Sequence, residues 1–72
     1  MSELIDAKGL GCAEPVILAK KALESRDEIT VVVSEPTAME NLRALGVHLG
    51  CLVEAAKEAE GIYTVRFMKH KG

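Results

Sequence analysis

The chain has 72 residues, 49% of them hydrophobic, and its 9 basic and 11 acidic residues leave a formal net charge of −2. That length suits one domain over residues 1–72 and is too short for two, and the apolar content excludes a disordered chain. The charges are scattered without a basic block, so direct nucleic-acid binding, which draws much of its affinity from phosphate neutralisation, is not expected. No apolar run approaches the roughly 18 residues of a membrane span. The acidic start Met1-Ser2-Glu3-Leu4-Ile5-Asp6 lacks the basic-then-apolar plan of a signal peptide, which makes the cytoplasm the expected location.

Leu4-Ile5-Asp6-Ala7 reads as a short strand, broken at Gly9-Leu10-Gly11. After Cys12-Ala13-Glu14, Pro15 suits the first turn of a helix that runs through Val16 to Ser25. Val16, Leu18, Ala19, Ala22 and Leu23 share one side of its wheel, and Lys20, Lys21 and Glu24 the other. Ile17 falls outside the apolar arc and is expected to be covered by the preceding loop.

Ile29-Thr30-Val31-Val32-Val33 is a β-branched run that reads as a buried strand, stopped at Ser34-Glu35-Pro36. Thr37-Ala38-Met39-Glu40 matches a capping box with Thr37 as N-cap. The helix it opens carries Ala38, Leu42, Leu45 and Leu49 on one face, opposite Glu40, Arg43 and Ala44. Gly46 weakens that helix by about 1 kcal/mol relative to alanine, and Gly50 ends it. Cys51 to Glu58 reads as a third strand with Cys51, Val53 and Ala55 on one face. Ala59-Glu60-Gly61 then turns a hairpin into a fourth strand, Ile62 to Met68, in which Tyr63, Val65 and Phe67 alternate with Thr64 and Arg66.

The order is therefore β-α-β-α-β-β. The first strand, helix and second strand form a right-handed parallel crossover, and the last two strands pair antiparallel. Each helix has a single apolar face. The expected architecture is an α/β (α+β) two-layer sandwich, a four-stranded mixed sheet with two helices on one face.

Two cysteines are too few for a disulfide scaffold, so each is either a small apolar residue or a chemical group. Cys12 follows a glycine-rich turn and precedes a helix, whose free N–H groups and partial positive charge favour the nucleophilic thiolate. The other reading is a small residue filling a turn. Cys51 reads as a core residue, with a resolving thiol for Cys12 as the alternative. His48, Cys51, His70 and Cys12 lack the paired spacing of a structural zinc site, so no metal is expected. No cofactor motif is present either. His48, Lys20 and Lys21 read as solvated helix residues, the lysines also as part of a docking surface.

The segment Asp6-Ala7-Lys8-Gly9-Leu10-Gly11-Cys12-Ala13-Glu14-Pro15-Val16 resembles the signature of the TusA/SirA/YedF family of small sulfur carriers. That signature is strand-Asp-x-x-Gly-x-x-Cys-Pro-x-Pro followed by a helix with an apolar start. The resemblance runs along the whole chain. Ala19-Lys20-Lys21-Ala22-Leu23 and Glu40-Asn41-Leu42 also resemble the family, particularly its YedF-like branch. It implies the same two-layer fold and a persulfide carrier in which Cys12 is the catalytic residue. Asp6, Gly9, Ala13, Glu14 and Pro15 would then shape the motif around it.

Ala13 departs from the pattern, replacing the first proline of Cys-Pro-x-Pro. It alters the stiffness of the loop and adds a backbone N–H that proline lacks. The implied partners are a desulfurase-type sulfur donor and an acceptor in tRNA thiolation or related sulfur or selenium metabolism, with the chain a monomer or weak dimer. Two other readings stand beside the carrier. One is a non-catalytic interaction or regulatory module on the same fold. The other is a dithiol switch, which requires the Cα atoms of Cys12 and Cys51 within about 7 Å.

Overall fold

The computed structural model describes residues 3–11 and 13–69. They form strand β1 (Glu3–Asp6), helix α1 (Ala13–Leu23), strand β2 (Glu28–Val33), helix α2 (Pro36–His48), strand β3 (Leu52–Ala59) and strand β4 (Ile62–Met68). The sheet order is β1-β2-β4-β3, with β1 parallel to β2 and β4 antiparallel to both of its neighbours. This is the expected two-layer β-α-β-α-β-β fold.

The two inner strands carry the core. Ile29, Val31 and Val33 of β2 alternate with half-buried residues, so the β-branched run has one fully buried face. Val65 and Phe67 of β4 point to the same side, where Ala19, Leu23, Ala38 and Leu42 of the two helices close over them. Alternation at a spacing of two puts the remaining residues on the uncovered face. There Arg66 donates through Nε to Glu28 at 2.7 Å and lies 3.7 Å from Glu54, while Thr64 donates to Glu58 at 3.1 Å. The hydrogen bond to Glu28, and then its charge, raise the pKa of Arg66 above its ordinary value. The pairs are solvent-exposed, so each contributes little to stability.

The ends of the elements depart from the sequence reading in several places. Helix α1 starts at Ala13, ahead of Pro15, and its buried stripe is Pro15, Ala19 and Leu23 at a spacing of four. Val16 and Ala22 flank that stripe half-buried. Leu18 stands outside it at 37% exposure, and Ile17 at 62% is not covered by the preceding loop.

The capping box does not form. Proline's preset φ suits the first helical position, so Pro36 opens α2 and makes Glu35 the N-cap, without a side-chain cap bond. Thr37 is thereby carried inside the first turn. At the other end Gly50, at φ 75°, stops the helix as expected. Its N–H donates to Val47 at 3.1 Å, and the Cys51 N–H donates to Gly46 at 2.9 Å, the two bonds of a Schellman ending. Leu49 becomes the C-cap and is 44% exposed, so it leaves the apolar face assigned to it.

Strand β3 begins at Leu52, one residue after Cys51, and Ala55 is exposed because β3 is an outer strand. A bulge between Lys57 and Ala59 lets Glu60-Gly61 turn the hairpin.

Gly46 has a role that helix propensity does not reveal. A Cβ there would lie 2.1 Å from Cγ2 of Val53 and 3.0 Å from Cε2 of Phe67. Glycine is what lets α2 seat directly on the β3–β4 hairpin. Gly46→Ala gains about 1 kcal/mol of helix propensity but must displace a stiff valine and a fully buried ring, an overpacking cost toward the upper end of about 1–3 kcal/mol. The expected outcome is a lower urea midpoint for Gly46→Ala than for the parent chain. An unchanged or higher midpoint would mean that α2 can lift off the sheet without loss.

Candidate functional site

The motif occupies the connection from the end of β1 to the start of α1. Cys12 itself lies outside the described residues, but the chain on both sides of it is described. Every N–H from Ala7 to Leu10 has an acceptor. Ala7 donates to the Val32 carbonyl at 2.8 Å, prolonging the parallel pairing one residue beyond β1. Lys8 donates to Oδ1 of Asp6 at 3.1 Å, and its own ammonium sits 3.6 Å from the other carboxylate oxygen. Gly9 donates to the Ser34 hydroxyl at 3.0 Å, and Leu10 to the Ala7 carbonyl at 3.3 Å.

The last bond, with Gly9 at φ 81°, makes Ala7–Leu10 a turn whose third residue needs the left-handed region, as in type II. Asp6 is the last residue of β1, and Gly9 lies in the turn that follows it. Asp6 binds the backbone two residues on, and Gly9 supplies the conformation that L side chains resist.

On the far side, Ala13 is the first residue of α1 and is exposed, as is Glu14. The Glu14 N–H donates to the Gly11 carbonyl at 3.2 Å, and its carboxylate lies in the first turn, where the helix dipole favours an acid. Pro15 is fully buried, and as the third helical residue it sacrifices no intrahelical bond. An open apolar groove starts at Ala13. Val16 and Ile17 of α1 form one wall, and Asn41, Ala44, Leu45 and His48 of α2 the other. Lys20 and Lys21 are exposed one turn further along α1.

Cys51 is a free, half-buried thiol packed against the core. It shares a recess with Lys20, Leu23 and Glu24, near the C-terminal end of α1. Ala13 opens the same helix, and the ten residues from there to Leu23 span about 15 Å. A disulfide needs Cα atoms within about 7 Å, so the layout separates Cys51 from the motif. His48 ends α2 and is exposed. His70 lies outside the described residues.

The structure adds one residue to which local sequence gives no clue. Ser34 reads only as a strand stop, yet its hydroxyl reaches Gly9 across 25 positions. Only the parallel register of β1 on β2 brings the two together.

A model of the family described as "Sulfurtransferase TusA" matches residues 3–69. Two proteins of Neisseria meningitidis, one from serogroup A and one from serogroup B, each bear the name "Putative sulfur carrier protein". Each is 33% identical to this chain over 73 residues, covering 97% of both sequences. The crystal structure of a SirA-like protein from Desulfitobacterium hafniense superposes with a TM-score of 0.87 at 31% identity, over 99% of this chain and all of that one.

The two glycines of the loop should respond differently to alanine. Neither would bring a new Cβ within 4 Å of another atom, but only Gly9 has a positive φ. Gly9→Ala is expected to lower stability by about 1–2 kcal/mol, the cost of a left-handed L residue, and Gly11→Ala to leave it nearly unchanged. Urea denaturation of the two variants measures the contrast. Equal midpoints would contradict the turn described.

Proposed function

The chain belongs to the TusA sulfurtransferase family, and on that premise we propose that it carries sulfur as a persulfide on Cys12. The observation that carries this reading is the setting of the motif cysteine. It is bonded to Ala13, the exposed first residue of α1, and follows a turn whose backbone donors are already satisfied. The partial positive charge at a helix start favours the thiolate, which is the attacking form.

The transfer takes two displacements. The Cys12 thiolate attacks the outer sulfur of a donor persulfide. The donor's S–S bond breaks, the donor leaves as a thiolate, and Cys12 holds the S–SH group. An acceptor nucleophile then attacks that outer sulfur, and Cys12 leaves as a thiolate. Electrons balance over the cycle without any redox reagent, and the proton lost when the Cys12 thiolate forms passes to solvent or to the partner.

Donor and acceptor are proteins in this reading, a desulfurase-type donor first and then an acceptor serving tRNA thiolation or a related sulfur or selenium step. A partner that reaches the Cys12 sulfur must cover Ala13, where the apolar groove between α1 and α2 begins. The lysine pair beyond it offers a complementary edge to acidic side chains.

Incubation of the full chain with a cysteine desulfurase and free cysteine should add the mass of one sulfur atom to the peptide containing Cys12. Cys51→Ser should retain that gain and Cys12→Ser should lose it. Equal sulfur uptake by the Cys12→Ser variant would refute the reading and leave an interaction module on the same fold.

A further inference from the structure

Beyond Gly9, no hydrogen bond among the described residues ties the loop to the sheet. Leu10 and Gly11 are exposed, and a side chain added at Gly9 or Gly11 would meet nothing within 4 Å. Leu10 and Gly11 bond only within the connection itself, to Ala7 and Glu14, so the last tie before Cys12 to the end of β2 is the 3.0 Å bond from the Gly9 N–H to the Ser34 hydroxyl. Ser34 is well placed to be a rigid anchor. It follows directly on Val33, which is fully buried, and precedes Glu35 and Pro36, where α2 starts. It is itself half-buried. Its hydroxyl is thus held between a core strand and a helix start, while the turn it grips has only local contacts on its outer side.

We propose that Ser34 is a positioning residue for sulfur exchange: its hydroxyl holds the Gly9 turn against the end of β2 and so sets the place from which the Cys12 thiolate attacks. The proposal rests on the persulfide-carrier reading. Ser34 touches neither donor nor acceptor in it and contributes no proton. It acts through the backbone of Gly9, so loss of the hydroxyl slows sulfur uptake without unfolding the chain.

The test uses the full chain as Ser34→Ala and Ser34→Thr. Glutathione persulfide is the sulfur source, and uptake at Cys12 is followed by mass. Attack by the Cys12 thiolate on the outer sulfur releases glutathione as its thiolate. Cys51, half-buried at the other end of α1, serves as an internal gauge of general loosening through its rate of alkylation by iodoacetamide.

Ser34→Ala is expected to slow uptake about three- to tenfold, the range one hydrogen bond supports, with Cys51 alkylation unchanged. Ser34→Thr, which keeps the hydroxyl, should restore the rate. Uptake that is equal in the parent and Ser34→Ala overturns the proposal alone. So does a slowing matched by faster Cys51 alkylation, which is the mark of a merely structural bond, or one that threonine fails to rescue. Absence of uptake at Cys12 in the parent chain overturns the carrier reading, and the proposal with it.

Discussion

The parallel pairing of β1 on β2 determines where everything else in the motif lies. Four residue pairs, from Glu3 opposite Ile29 to Asp6 opposite Val32, fix the register, and the Ala7 N–H extends it to the Val32 carbonyl. A slip of one residue would turn Ile5 away from the core and carry Gly9 out of reach of Ser34. The same pairing sets the ends of both strands side by side, so the chain leaves the sheet for each helix from one edge. The loop before α1 is built against the connection that leads into α2.

The helical layer owes its closeness to small side chains. Ala19 and Ala38 are fully enclosed where the helices meet the sheet, and Gly46 brings the backbone of α2 onto Val53 and Phe67. A chain of this length has little apolar volume to spend, and a thin layer over two β-branched strands encloses what it has. The larger side chains left on the helix surfaces, Ile17 and Val47 among them, then remain in water.

Much of this is legible in the residues. The run Ile29–Val33 and the alternation of Tyr63, Val65 and Phe67 announce the two inner strands, because a period of two is what a pleated chain with one covered face imposes. The spacing of Asp6, Gly9 and Pro15 around Cys12 locates the loop and the helix start. The rest is decided by partners distant in sequence. Gly46 counts locally only as a poor helix former, because nothing nearby tells of Val53 and Phe67 pressing on it. Ser34 reads as a strand stop because its partner lies in another loop. Thr37 loses the N-cap to a neighbour, since the fixed φ of Pro36 outweighs a favourable hydroxyl. Leu18 is misplaced by a helical wheel, which knows the helix but not where the sheet lies beneath it, and Ile17, outside the wheel's apolar arc, has no loop to cover it.

The outer strand β3 bears on how this small fold behaves when crowded. Its outward backbone groups offer a template on which another chain could add a strand, the usual route from open sheets to fibres. The bulge between Lys57 and Ala59 twists that rim, and Glu54, Lys57 and Glu58 stud it with charge. Strand-to-strand polymerisation is thereby discouraged along β3, the longer of the sheet's two outer strands.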